Sequence, residues 1–155
     1  MILALGVAAA LTGCGSSTSS SGLTHAQLVS RADAICKQAN ERVEAVKKLP
    51  ALSAGTPYGP VLRLLREELP IFTAEVGALQ RLTPSHGDRE GFESYLRAAK
   101  AELAAGVGLR DASTAKDASR FRSATLELVA LSTKSTQTAT GLGLVECAKS
   151  PEPKG

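Results

Sequence analysis

The sequence predicts an all-α protein, an up-and-down bundle of about four helices. Apolar residues recur at three- and four-residue steps in four separate segments, which is the spacing of a buried helix face. No segment alternates with period two for long enough to indicate a sheet. Aromatic residues make up 3% of the chain and Trp is absent, so the core must consist of Leu, Val and Ala. Short connections between such segments are typical of a bundle.

The first helix is predicted from about residue 24 to residue 49. Thr24 and Gln27 have the spacing of a capping box, and Leu23 and Leu28 flank it as a hydrophobic staple. The opposite face carries pairs of opposite charge four residues apart, which predicts a solvated surface. These pairs are Asp33 with Lys37, Lys37 with Glu41, and Glu44 with Lys48.

Three more helices are predicted at about 60–82, 88–109 and from about 115 to Gly141. Pro70 lies inside the second and predicts either a kink or two abutting helices. Ser113 or Thr114 is the expected cap of the fourth, and Gly141 or Gly143 is expected to end it in a left-handed conformation. The Ser- and Thr-rich stretch "STKSTQTAT" forms helices poorly, so packing must hold it.

Residues 1–13 are predicted to be a lipoprotein signal peptide. The apolar run from Ile2 to Leu11 is far shorter than the roughly 20 residues that a membrane-spanning helix needs. Met1 leads directly into Ile2 without the usual basic residues, which we interpret as a start codon assigned slightly late or a truncated chain.

The tetrapeptide Leu11-Thr12-Gly13-Cys14 resembles the lipobox of bacterial lipoproteins, in which the cysteine is lipidated and becomes the mature N-terminus. The alternative is an unmodified cysteine near an ordinary secretion cleavage site. On the lipobox interpretation, residues 14–22 comprise the lipidated Cys14 and a Ser-rich linker. The linker is expected to be flexible, since its composition cannot bury apolar surface. The expected location is the extracytoplasmic face of the cell membrane, and the membrane is the expected partner through the N-terminal lipid.

Cys36 and Cys147 remain once Cys14 is assigned to lipid. Thiols outside the cytoplasm are oxidised, so the pair predicts a disulfide that closes the bundle, residues 23–148. Two free thiols or an intermolecular bridge are the alternatives. Residues 142–147 would have to fold back along the bundle for the two cysteines to meet. Residues 149–155 are predicted to be a disordered tail.

A family resemblance follows from three features: the lipobox with its Ser-rich spacer, "RADAICKQANERV" on the first helix, and "GLGLVECA" near the end. Together they resemble a loose group of small actinobacterial lipoproteins and secreted proteins of uncharacterised function. The resemblance implies an extracytoplasmic helical domain closed by the same cysteine pair. It implies no activity, ligand or catalytic residue.

No catalytic, cofactor-binding or metal site is predicted. His25 and His86 are expected on the surface, away from other ligands. Glu67 and Glu68 are adjacent and would point in different directions, which favours a charged outer face over a glycosidase pair. The G-x-G of Ala104–Arg110 follows no strand, so it indicates a close helix approach rather than a phosphate loop.

Charge excludes a nucleic-acid partner but identifies no other. The formal charge is +3, with 18 basic and 15 acidic residues interspersed and no basic stripe. Two functions remain as hypotheses. The first is a membrane-anchored binding or interaction module for an envelope protein, a lipid or a small ligand. The second is an envelope enzyme or an accessory subunit of one.

Overall fold

The computed structural model describes residues 22–46 and 58–149. These residues form four helices: α1 (His25–Val46), α2 (Tyr58–Leu79), α3 (His86–Ala115) and α4 (Ala118–Gly141). Close backbone packing joins α1 to α2, α2 to α3 and α3 to α4. The predicted all-α bundle of four helices is therefore confirmed for the described residues. None of their helices is long and apolar enough to cross a membrane.

The start of α1 follows the predicted capping box. The backbone N–H of Thr24 donates to the Gln27 side-chain oxygen at 3.0 Å, and the backbone N–H of Gln27 donates to the Thr24 hydroxyl at 3.3 Å. Leu28 is buried, and Leu23 packs against the same apolar cluster. The predicted end of this helix, at residue 49, lies outside the described residues.

Helix α2 continues through Pro70 without dividing into two helices. A proline removes the hydrogen bond to the carbonyl four residues earlier, here that of Arg66. Both residues are exposed, so water can solvate that carbonyl. Leu69 and Ile71 on either side are buried, and their packing holds the helix together. The prediction of two abutting helices is therefore wrong.

Helix α3 extends six residues beyond its predicted end, to Ala115 instead of residue 109. Leu109 and Ala112 share one apolar cluster with residues of α2 and α4, so burial extends the helix beyond Gly108. Ser113, a predicted cap of α4, is buried inside α3 and donates to the Leu109 carbonyl at 2.7 Å.

The cap of α4 is Asp117, and its carboxylate accepts from the backbone N–H groups of Ser119 at 3.1 Å and Arg120 at 3.0 Å. The predicted caps Ser113 and Thr114 were wrong because both residues lie within α3. A single residue, Lys116 with φ 54°, makes the left-handed turn between the two helices.

Threonine hydroxyls in α4 form hydrogen bonds within the helix. Thr133, Thr138 and Thr140 each donate to the carbonyl four residues earlier, so these three hydroxyls find acceptors within the helix. The helix ends at Gly141, and of the two predicted glycines it is Gly143, two residues later, that adopts the left-handed conformation, with φ +73°. The backbone N–H of Leu144 donates to the Ala139 carbonyl at 3.0 Å, which is the bond of a Schellman motif that spans six residues.

The buried side chains form two main clusters at different heights in the bundle. The cluster near the start of α1 includes Leu28, Leu79, Phe92 and Leu144. The cluster near the start of α4 includes Val61, Leu65, Leu109 and Phe121. Leu103 packs against both, so the two clusters meet near the middle of α3.

Candidate functional site

The two cysteines are joined by a disulfide. Cys36 on α1 and Cys147 beyond α4 are 111 positions apart, and their Cα atoms are 5.0 Å apart. The segment that makes this connection is Leu142–Lys149, here called the return segment. It folds back onto α1 as predicted, and α1 and α4 are not among the closely packed helix pairs of the described residues. Closure therefore depends on the return segment.

Side chains of α1 hold the return segment in place. The Asp33 carboxylate accepts from the backbone N–H groups of Val145 at 3.2 Å and Glu146 at 2.9 Å. The side-chain amide of Asn40 donates to the Glu146 carbonyl at 2.9 Å. The sequence predicted that Asp33 lies on a solvated face and pairs with Lys37. That prediction was wrong, because the Asp33 carboxylate binds backbone N–H groups of the return segment. Nothing local in the sequence signals that contact.

Tyr95 of α3 lies against the disulfide. Its hydroxyl is 3.7 Å from Cys36 Sγ, and because a disulfide sulfur has no proton the hydroxyl is the donor. Tyr95 is 2% exposed, and burial together with the nearby charges of Glu75, Glu102 and Asp33 raises its pKa. The side chain stays neutral and can donate this bond at any physiological pH.

Two glutamates are half-buried within the bundle, Glu75 of α2 and Glu102 of α3, here called the carboxylate pair. Burial, and next the charge of Glu102, raises the pKa of Glu75 from 4.5 to about 7. Burial also raises the pKa of Glu102, against hydrogen bonds from Ser132 and Ser135 of α4. This pair was not predicted from the sequence, since each residue stands among helix formers with no motif around it.

Gly106 allows α3 to approach α2 closely, one helical turn after Glu102 of the carboxylate pair. Gly106 of α3 is buried, and a Cβ at that position would lie 3.0 Å from Leu69 Cδ2 of α2. The prediction of a close helix approach at Ala104–Arg110 is confirmed at Gly106. Glu67 and Glu68 of α2 were both predicted to lie on a charged outer face. Glu67 is exposed, and Glu68 is half-buried.

The histidines lie at the end of the bundle where α1 and α3 begin. His25 Nδ1 is 2.8 Å from Asp88 Oδ1, and the Ser85 hydroxyl donates to Asp88 Oδ2 at 2.8 Å. These hydrogen bonds lower the pKa of Asp88. His86 is exposed at the first turn of α3. No group of three or more His, Cys, Asp or Glu side chains within the described ranges could hold a metal ion.

The first described residues are bonded to the connection between α2 and α3. The backbone N–H of Leu23 donates to the Thr83 carbonyl at 2.7 Å, and that of Ser85 donates to the Leu23 carbonyl at 2.9 Å. Gly22 has φ +156°, and a Cβ there would lie 2.5 Å from the Pro84 carbonyl oxygen. Glycine is therefore required at residue 22. The predicted lipidation residue, Cys14, lies outside the described residues.

An open depression of about 250 Å³ lies beside this position. Two arginines line it, Arg31 of α1 and Arg81 of the turn after α2, and we call it the arginine depression. Its other lining residues are Gly22, Leu23, Leu82 and Thr83. The sequence analysis did not single out either arginine, because they are 50 positions apart and only the fold brings them together.

Helix α4 exposes apolar side chains. Its buried residues are Phe121, Ser135 and Ala139, and α3 is its closely packed neighbour among the described helices. Leu126 is 67% exposed and Val129 is 61% exposed. The two residues are three positions apart, so they lie on the same side of the helix and form an exposed apolar stripe.

Comparison with known proteins identifies no relative. No family model matches the chain, and no curated protein or solved structure matches it.

Proposed function

We propose that this chain is a lipoprotein anchored through Cys14 at the extracytoplasmic face of the membrane, and that its bundle is a binding or interaction module. The observation that carries the binding role is the exposed stripe of Leu126 and Val129. Isolated apolar side chains are common on protein surfaces, but two large ones on one side of a sparsely buried helix favour a contact with a partner.

The disulfide supports the extracytoplasmic location. Disulfides persist in oxidising compartments and are rare where thiols are kept reduced. The Cys36–Cys147 bond secures the return segment to α1, so an oxidising environment suits this fold. The lipobox-like tetrapeptide and the resemblance to small actinobacterial lipoproteins agree with this location.

An envelope enzyme, or an accessory subunit of one, is the second candidate. The carboxylate pair favours it, because a carboxyl group with a pKa of about 7 can exchange a proton at neutral pH. Burial and the charge of Glu102 account for the raised pKa, so it needs no substrate to explain it. We therefore prefer the binding module.

Detergent partitioning tests the anchor. When cells expressing the full chain are extracted with Triton X-114, the wild-type protein is expected in the detergent phase and Cys14→Ala in the aqueous phase. A lipid attached through a thioether at Cys14 is the reason for this difference. Retention of Cys14→Ala in the detergent phase would contradict the anchor.

The binding role is tested in the same detergent extract. Proteins and lipids that co-purify with the wild-type chain are identified by mass spectrometry and compared with those of Leu126→Gln/Val129→Gln. The double variant should lose a defined set of them while its circular dichroism spectrum stays unchanged. An unchanged set would rule out the stripe as the binding surface.

A further inference from the structure

We propose that the arginine depression binds the phosphate groups of anionic lipids in the bilayer that holds Cys14. The end of the bundle that contains the start of α1 would then face the membrane. This inference rests on the proposed lipid anchor and adds the lipid chemistry that the anchored domain recognises.

The position of the depression along the chain is the first argument. Gly22 lines the depression, and eight residue steps separate it from Cys14. A fully extended chain spans at most about 3.6 Å per residue, so this stretch reaches at most about 29 Å. Backbone hydrogen bonds between Leu23 and both Thr83 and Ser85 then fix the position of Leu23 on the bundle. The depression is thus the part of the described surface that is covalently closest to the anchor.

The chemistry of the two arginines is the second argument. Neither Arg31 nor Arg81 forms an ion pair with a carboxylate that the structure describes. Arg81 Nη1 donates to the Gly77 carbonyl at 2.9 Å, which positions the side chain and uses one of its five N–H donors. Asp88, at the start of α3, already bonds to His25 and Ser85. Planar guanidinium groups with free donors match phosphate oxygens well.

A lipid phosphate fits the depression better than a free phosphate ion. The site is open and both arginines are exposed, so a free ion would keep most of its hydration and bind weakly. An anionic bilayer adds the attraction of its whole surface, which strengthens binding about fivefold for each basic residue that reaches it. Attachment at Cys14 also keeps the site near that surface.

Chemical footprinting on anchored protein tests the proposal. The chain from Cys14 to Gly155 contains every described residue, and its Cys14 thiol can be coupled to a maleimide lipid while the disulfide stays intact. The protein is attached in this way to vesicles of phosphatidylcholine alone or with one third phosphatidylglycerol. Phenylglyoxal then modifies accessible arginines, and mass spectrometry gives the rate at each one.

On anionic vesicles we expect Arg31 and Arg81 to react at least fivefold more slowly than on neutral vesicles. Arg120 and Arg122, exposed at the opposite end of the bundle, are matched controls in the same molecule and should change less than twofold. Equal rates on both vesicles, or equal protection of all four arginines, would overturn the proposal. Equal protection of Arg31 and Arg81 by inorganic phosphate without vesicles would also overturn it, since the ligand would then be a free anion.

This experiment is independent of the detergent-partitioning test. Chemical coupling supplies the anchor whether or not cells lipidate Cys14. Loss of the vesicle effect would therefore reject lipid binding at the arginine depression and leave the anchor standing. An aqueous wild-type protein on partitioning would reject the anchor, and with it the bilayer that holds Cys14, while protection on coupled vesicles would still measure the affinity of the depression for anionic lipid.

Discussion

At the scale of single residues, Glu75 is a half-buried carboxyl group whose pKa lies near neutral pH. Burial, and next the charge of Glu102, raises its pKa from 4.5 to about 7. The unfolded chain releases this proton near pH 4.5, whereas the folded protein keeps it until about pH 7. Between these values the folded state binds more protons, so stability must fall as the pH rises.

Glu75→Gln should therefore stabilise the protein above pH 7 by up to about 3 kcal/mol, at 1.36 kcal/mol per pKa unit. The gain should shrink as the pH falls from 7 and vanish below about 4.5, where the wild-type carboxyl is neutral in both states. Urea unfolding at a series of pH values measures this. Glu67→Gln, an exposed change on the same helix, is the control and should have little effect. A gain for Glu75→Gln that is independent of pH would contradict the explanation.

At the scale of elements, the return segment is a short stretch held by side chains of another helix. Leu144 is fully buried, and the backbone of the next two residues bonds to Asp33. A carboxylate that accepts from backbone N–H groups makes charge-assisted bonds, which are stronger than neutral ones. These bonds and the disulfide act on the same segment, so its local stability should respond to Asp33 even when the disulfide is intact.

Asp33→Ala should destabilise the folded protein by about 1–2 kcal/mol, because two backbone donors lose their acceptor. Amide hydrogen exchange at Val145 and Glu146 should accelerate more than exchange in the core of α3. Glu41→Ala, which removes an exposed acid of α1, serves as the matched control and should leave this exchange unchanged. Similar exchange rates in Asp33→Ala and Glu41→Ala would show that the carboxylate contributes nothing to holding the segment.

At the scale of the whole molecule, the disulfide joins the middle of the first helix to the return segment that follows the last helix. It closes a loop between cysteines that are 111 positions apart. In the chain-entropy account, a loop of this size stabilises by roughly 4–5 kcal/mol because it restricts the unfolded chain. The contribution matters here because α1 and α4 are not a closely packed pair, so direct helix contact does little to hold the ends together.

A reductant should lower the melting temperature by about 10 °C or more, since each kcal/mol shifts the midpoint of such a domain by a few degrees. Calorimetry with and without a phosphine reductant measures the change. The double variant Cys36→Ala/Cys147→Ala should melt near the reduced wild type and should not respond to the reductant. If peptide mapping of protein made under oxidising conditions found both thiols alkylated without reduction, the closed bundle would be refuted.

The sequence by itself determined the four helices, the capping box at Thr24, a left-handed residue at Gly141 or Gly143 and the cysteine pairing. Periodicity and capping depend on residues three to five positions apart, and pairing followed from the number of cysteines and the expected compartment. Such features are local or countable, so they can be read along one dimension.

The tertiary structure alone decided the length of α3, the role of Asp33, the carboxylate pair and the arginine depression. Each depends on residues that are distant in sequence: Leu109 is buried against α2 and α4, Asp33 bonds to residues more than 100 positions away, and Arg31 and Arg81 meet across two elements. Burial and electrostatic contact act through space, so a periodic pattern could mark Asp33 as polar but could not show which distant backbone groups it would bind.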